Sequence, residues 1–288
     1  FLVSAPDFDT PPRKLIDLSL RYAGISWGTG ELALVSESWW STRQVRTWRV
    51  RPDGASPNPE VLFDRSYEDR YNDPGSPVFT PNQWGESVLL LSEDSSSIYL
   101  DGAGASPEGD RPFLDRFDLR TKETERLWRS AAPYYESFVT FLDADEGLAL
   151  TRRESETVPA NYFARALPND ELNQLTSFPH PYPDLASVYK EVIQYERNDG
   201  VQLQATLYLP PGRKPEDGAL PMLMWAYPRK YKDAAAAGQV RGSPYQFKTI
   251  STGGPLPFLA TGYAVLDGPT MPIIGEGDEE PNDTFVKQ

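Results

Sequence analysis

The 288-residue chain contains no cysteine, which removes disulfides, thiolate metal sites and cysteine nucleophiles at one stroke. That absence suits reducing and oxidising surroundings alike, so the compartment stays open. Histidine is nearly as scarce, and His180 is the only one. Any Ser-His-Asp triad built from these residues alone would have to use it, and a zinc site would need carboxylates for its other ligands. Flanked by Pro179 and Pro181, His180 reads as a linker contact. Long apolar runs are missing too. The best, MLMWAY, has the length of a buried strand against the ~20 residues a bilayer span needs, so no membrane partner is expected. Positive charge is in deficit, with 28 Lys and Arg against 42 Asp and Glu and a formal net charge of -14. Such a field repels polyphosphate and anionic headgroups, which argues against nucleic acid as a partner. No cofactor motif is present either. GAGASPEG resembles a phosphate loop but lacks the G-K-[ST] ending and the helix that should follow, and reads as a surface loop.

Turn formers and aromatics are plentiful: 28 prolines, 21 glycines and 12% aromatic residues. Together they predict short strands between turns rather than long helices. The chain starts at Phe1, with no basic region and apolar segment of a targeting signal, and reads as a fragment.

GISWG at 24–28 spells G-x-S-x-G, the nucleophile elbow of a serine hydrolase. An elbow needs a strand before the serine and a helix after it. ELALVSES follows instead, an apolar run of strand length, so Ser26 reads as a residue in a turn before a strand.

Up to about residue 180 one unit recurs. ELALVSES, RQVRTWRVRPDG and PEVLFDR form one copy; ESVLLLSED, FLDRFDLRTKET and ERLWRS a second; GLALTRRES, NYFARALPND and LNQLTSF a third. Trp48, Phe117 and Phe163 fall at equivalent places. Repeats of roughly 40 to 50 residues built from short strands mark a β-propeller, whose blades pack on their neighbours. Three blades cannot close a ring, so further blades are expected before Phe1 or from another chain. FPHPYPDLASVYKE then reads as a rigid linker. Beyond it, VIQYER and VQLQATLYLP flank NDG as a hairpin, with Val201, Leu203, Ala205, Leu207 and Leu209 on one side. PMLMWAY predicts a buried strand, PFLATG a short helix ending at Gly262, and YAVLDG a second buried strand. That order opens a parallel α/β sheet.

DGVQLQATLYLPPG, AAAAGQVRGSPYQF and GYAVLDGPTMPIIGEGDEEPND resemble the prolyl oligopeptidase family of serine peptidases, in its glutamyl endopeptidase-like branch. ALVSESWWSTR, FDRSYEDRYNDPGSP and FPHPYPDLAS look like the same branch's propeller and linker. The resemblance implies a mixed fold, a partial β-propeller of all-β blades over 1–178, a Pro-rich linker over 179–190 and the N-terminal part of an α/β-hydrolase domain over 191–288. It also implies a peptide or protein substrate, cleaved after glutamate, and a Ser-Asp-His triad lying beyond Gln288. By that reading Ser26 is a propeller strand residue and the chain alone is inert.

By similarity to the family's strand-end tyrosine, Tyr227 would supply an oxyanion-hole hydroxyl. Relatives follow that tyrosine with two glycines, whereas Pro228 and Arg229 stand here and proline has no N–H to give, so the loop backbone is expected to differ. Packing on its neighbours is the plainer role for Tyr227. Arg229 and Arg241 lie in or near the implied active-site loops, where a cation would meet a glutamate carboxylate. The acidic run of Glu276, Asp278, Glu279, Glu280 and Asp283 does not match an EF-hand loop and reads as helix capping, so no metal is expected. Gly275 and Gly277 within it allow an unusual backbone. Trp39 and Trp40, as strand neighbours, should face opposite ways, one of them into the core. The rival to a peptidase is a non-catalytic propeller binding module with a remnant hydrolase domain.

Overall fold

The structure, a computed structural model, describes residues 2–3, 9, 11–53, 58–275 and 279–285. It is mostly β-sheet with few helices, and the chain divides into two compact units. The first holds 1–69, 73–102 and 114–127; the second holds 70–72, 103–113 and 128–288.

In the first unit, β1 (Leu2–Val3) pairs with β2 (Arg13–Lys14). β3 (Arg21–Thr29), β4 (Leu32–Trp39), β5 (Gln44–Val50) and β6 (Glu60–Ser66) form an antiparallel sheet in chain order. β7 (Ser76–Pro77) is followed by a small hairpin of β8 (Phe79–Pro81) and β9 (Ser87–Leu89). It then joins β10 (Ser97–Gly102), β11 (Phe113–Asp118) and β12 (Thr124–Arg129) in a second four-stranded sheet.

Side chains alternate across β4 and so build two cores. Leu32 and Leu34 pack with Leu89, Ile98, Leu100 and Phe117 between the two sheets. Ala33 and Val35 pack on the other face with Leu15, Ile16 and Val50. Each fully buried leucine here stabilises the fold by about 1.5–3 kcal/mol.

In the second unit, β13 (Tyr134–Asp143), β14 (Leu148–Ser155), β15 (Asn161–Ala166) and β16 (Glu171–Gln174) form a third antiparallel sheet. β17 (Tyr189–Glu196) and β18 (Gln202–Leu209) are the expected hairpin, in register from Tyr189 opposite Leu209 to Glu196 opposite Gln202. β18 pairs with β21 (Ala264–Asp267), which pairs in parallel with β19 (Met222–Trp225). The connection carries a 3-10 turn over Leu256–Thr261, closed by Gly262 at φ 86, the left-handed conformation that glycine adopts without strain. Leu256 and Leu259 of that turn pack on Val188, Tyr208 and Val265. β20 (Pro228–Tyr231) and β22 (Met271–Ile274) form a parallel pair. α1 (Ala234–Ala237), capped by Asp233, packs with it through Ala237, Tyr231 and Ile274.

Three details differ from the sequence reading. Each of the three repeats has four strands, because β3, β7 and β13 precede the strands recognised from pattern. In the second repeat the strand beside β11 is SIYLDG, while ESVLLLSED supplies only β9 of the β8–β9 hairpin; both runs are short and apolar, and periodicity does not choose between them. β19 is a strand as expected, yet Met222, Met224 and Trp225 are exposed, because β19 is the edge of its sheet among the described residues. Trp48, Phe117 and Phe163 do share a position, each on the third strand of its sheet.

Candidate functional site

Ser26 lies inside β3, opposite Leu34, rather than in a turn; the turn falls at Gly30 and Glu31. A cavity of about 110 Å³ borders it, and Arg65 is the one titratable residue in its lining. Arg65 is paired with Asp73, and a guanidinium is no base. Among the described residues, a second strand rather than a helix follows Ser26, and no carboxylate or imidazole lines its cavity. His180 is equally occupied, its Nδ1 accepting from the Tyr182 N–H at 3.0 Å and its ring edge meeting Phe247.

Trp40 falls in the turn after β4, so strand alternation stops short of it. The rings of Trp39 and Trp40 lie 6.0 Å apart and neither is buried, which corrects the expectation of a core tryptophan. Arg21 sits over Trp39 at 4.7 Å.

Glu276, Gly277 and Asp278 lie outside the described residues. Of the rest of the acidic run, the Glu280 N–H donates to Asp283 at the start of α2 (Pro281–Thr284), and Glu280 pairs with Lys232. The described residues hold no cluster of metal-ligating side chains.

Tyr227 stands between β19 and β20, 68% exposed, its ring edge-on to Trp225. Pro228 and Arg229 open β20 instead of forming a loop; proline is tolerated as the first residue of a strand, where its missing N–H costs no ladder bond. Arg229 and Tyr231 are two residues apart on β20 and so share a face. Arg241 meets that face, its Nη2 donating to the Tyr231 hydroxyl at 3.0 Å. Burial lowers the Arg241 guanidinium below its ordinary range, the Tyr231 hydroxyl opposes this, and the charges of Arg70 and Arg229 add to the lowering.

Arg70 and Asp110 complete the cluster, and the sequence reading found neither. The Arg70 Nη2 reaches both Asp110 oxygens at 3.0 Å. Burial pushes the Asp110 carboxyl up, against the pull of Arg70, the Gly242 N–H and Arg241. Arg70 and Arg241 thus both act on the buried Asp110 carboxylate, while the charges of Arg70 and Arg229 both act on Arg241.

The loop after Arg241 is anchored by Lys190, whose Nζ donates to the carbonyls of Ser243, Pro244 and Gln246 at 2.9–3.4 Å. Burial lowers Lys190 from 10.5 to about 8, with Glu156 opposing and Lys248 assisting. Between those values the unfolded chain holds a proton that the folded chain has released. This group's share of stability therefore rises with pH across the window. Urea unfolding from pH 7 to 10.5 is expected to show that rise in the wild type and to lose it in Lys190→Met.

Along 96% of its length the chain is 50% identical to the probable chloroplastic glutamyl endopeptidase of Oryza sativa subsp. japonica and 48% identical to the Arabidopsis thaliana protein of the same name. It spans 31% and 30% of those relatives. Dipeptidyl peptidase 4 of Porphyromonas gingivalis shares the fold, with a TM-score of 0.52 at 12% identity over 91% of this chain and 41% of that one. No protein-family model matches. Over nearly its whole length the chain is thus similar to about a third of these glutamyl endopeptidases, in line with the motifs that resemble the prolyl oligopeptidase family.

Proposed function

We propose that the chain is part of a serine-type peptidase that cleaves after glutamate, with Arg241 and Arg229 receiving the glutamate carboxylate. In this reading residues 1–178 are propeller blades, 179–190 a linker and 191–288 the start of an α/β-hydrolase domain, the triad being supplied by other parts of the complete protein. Tyr227 is the oxyanion-hole donor, and its exposed hydroxyl at the end of β19 suits that task. The single observation that carries the specificity is the half-buried guanidinium of Arg241 at the face of β20, with the charge of Arg229 acting on it. A Gln side chain has the size of Glu without its charge, so a cationic site separates the two where an apolar pocket would not.

The test is turnover by the complete protein of two peptides that differ only in Glu or Gln before the scissile bond. Arg241→Ala is expected to lower kcat/KM for the Glu peptide by about 100-fold and to leave the Gln peptide nearly untouched. A Glu-to-Gln ratio unchanged in both Arg241→Ala and Arg229→Ala refutes carboxylate recognition here. Tyr227→Phe is expected to lower kcat by about 10²–10³ for both peptides; an unchanged kcat removes Tyr227 from the mechanism. No turnover of either peptide by the wild type favours the binding module.

A further inference from the structure

We propose that Arg70, Tyr71 and Asp110 form a clamp that positions Arg241, so that residues far from it in sequence set the strength of glutamate recognition. The inference rests on the reading above that Arg241 meets the substrate carboxylate.

The backbone from Val240 to Gly242 belongs to no helix or strand, so nothing repetitive satisfies its polar groups. Side chains and one backbone pair from elsewhere take all of them. The Val240 N–H donates to the Tyr71 hydroxyl at 2.9 Å, and the Val240 carbonyl accepts from Arg70 Nη1 at 2.7 Å. The Gln204 side-chain amide pairs with both the N–H and the carbonyl of Arg241, each at 3.1 Å. The Gly242 N–H donates to Asp110 Oδ2 at 3.1 Å, and the Asp110 N–H returns a bond to the Gly242 carbonyl at 2.7 Å. The Arg70 N–H donates to the Gln239 side chain at 2.7 Å, and Arg70 Nη2 donates to both Asp110 oxygens.

Arg241 is thus fixed on both sides by groups that are themselves fixed to each other. Holding the backbone removes the freedom that a long cationic side chain would otherwise lose on binding, which strengthens recognition without a new contact. Asp110 is 7% exposed and Val240 8%, so the bonds at these two residues are screened from water. None of the three clamp residues needs to touch substrate; they act through Arg241.

The prediction is a change in discrimination, not merely in the amount of folded protein. In the complete protein, Tyr71→Phe is expected to raise KM for the Glu peptide by about 10-fold, with kcat and the Gln peptide little changed. Arg70→Lys keeps the charge near Arg241 and loses the guanidinium's bonds to Asp110 and the Val240 carbonyl, so it is expected to behave like Tyr71→Phe. A clamp with only a structural role would lower activity on both peptides in proportion to folded protein. If Arg241→Ala abolishes the Glu preference while Tyr71→Phe and Arg70→Lys both keep it, the clamp inference is overturned and the carboxylate reading stands. If Arg241→Ala itself leaves the preference intact, both fall.

Discussion

Replacing Glu136 with alanine is expected to destabilise the second unit by about 3–5 kcal/mol, the cost of leaving a buried cation without its partner. Glu136 is 3% exposed and Arg165 6%. Arg165 Nε and Nη2 reach the two carboxylate oxygens at 2.8 and 2.9 Å, and the Thr151 hydroxyl adds a bond at 2.6 Å. With the carboxylate gone, the exposed Asp170 is the charged partner left to Arg165 among the described residues. Glu136→Gln preserves the shape and removes the charge, so it should cost less than alanine. Urea unfolding followed through Trp128, whose ring lies 5.3 Å from the Arg165 guanidinium, measures both. A loss below about 1 kcal/mol in Glu136→Ala, the level of an exposed ion pair, would show that this pair is solvated.

The first unit repeats the device with Glu37, fully buried on β4. Burial alone would raise its carboxyl. The Leu20 N–H, Trp48 Nε1 and Arg46 outweigh burial and hold it below the ordinary carboxylate range. A depressed carboxylate contributes stability that is present above the unfolded pKa and lost as pH falls through the folded one. Acid therefore undermines this sheet from within.

Gly104→Ala is the second large effect, and it reaches the clamp indirectly. Gly104 has φ +62, and a Cβ there would lie 1.9 Å from the Arg111 carbonyl oxygen. The two residues close the 103–113 loop through the Arg111 N–H bond to the Gly104 carbonyl at 3.0 Å. Backbone cannot yield as a flexible side chain does, so a loss of about 2–4 kcal/mol is expected from the left-handed strain and the overlap together. Because the same loop carries Asp110, hydrogen exchange at the Gly242 amide should quicken as well. An unchanged thermal midpoint together with unchanged exchange at Gly242 would show that the loop absorbs the methyl group.

Local pattern carried much of this architecture. Alternation marked β18, the Gly262 stop marked the turn before β21, and Trp48, Phe117 and Phe163 marked the third strand of each sheet. Outer strands were harder to read. β3 contains Gly24 and Gly28 and looks like a hydrolase motif, while the exposure of β19 depends on which strand lies beside it, a fact no window of ten residues contains. The cationic cluster was legible in half. Arg229 and Arg241 stand near motifs, but Arg70 and Asp110 come from segments more than a hundred residues away, and only folding unites them. Nothing in GAGASPEGD singles out its aspartate.

Among the described residues no strand pairs with the outer side of β19, which bears on how this polypeptide behaves in water. Met222 to Tyr227 is six residues without charge, glycine or proline, the composition that lets strands of separate molecules zip together into fibrils. Pro221 and Pro228 bracket it. Neither has an N–H to offer an incoming strand, so any such adventitious pairing is confined to that hexapeptide, with the two prolines as gatekeepers at its ends.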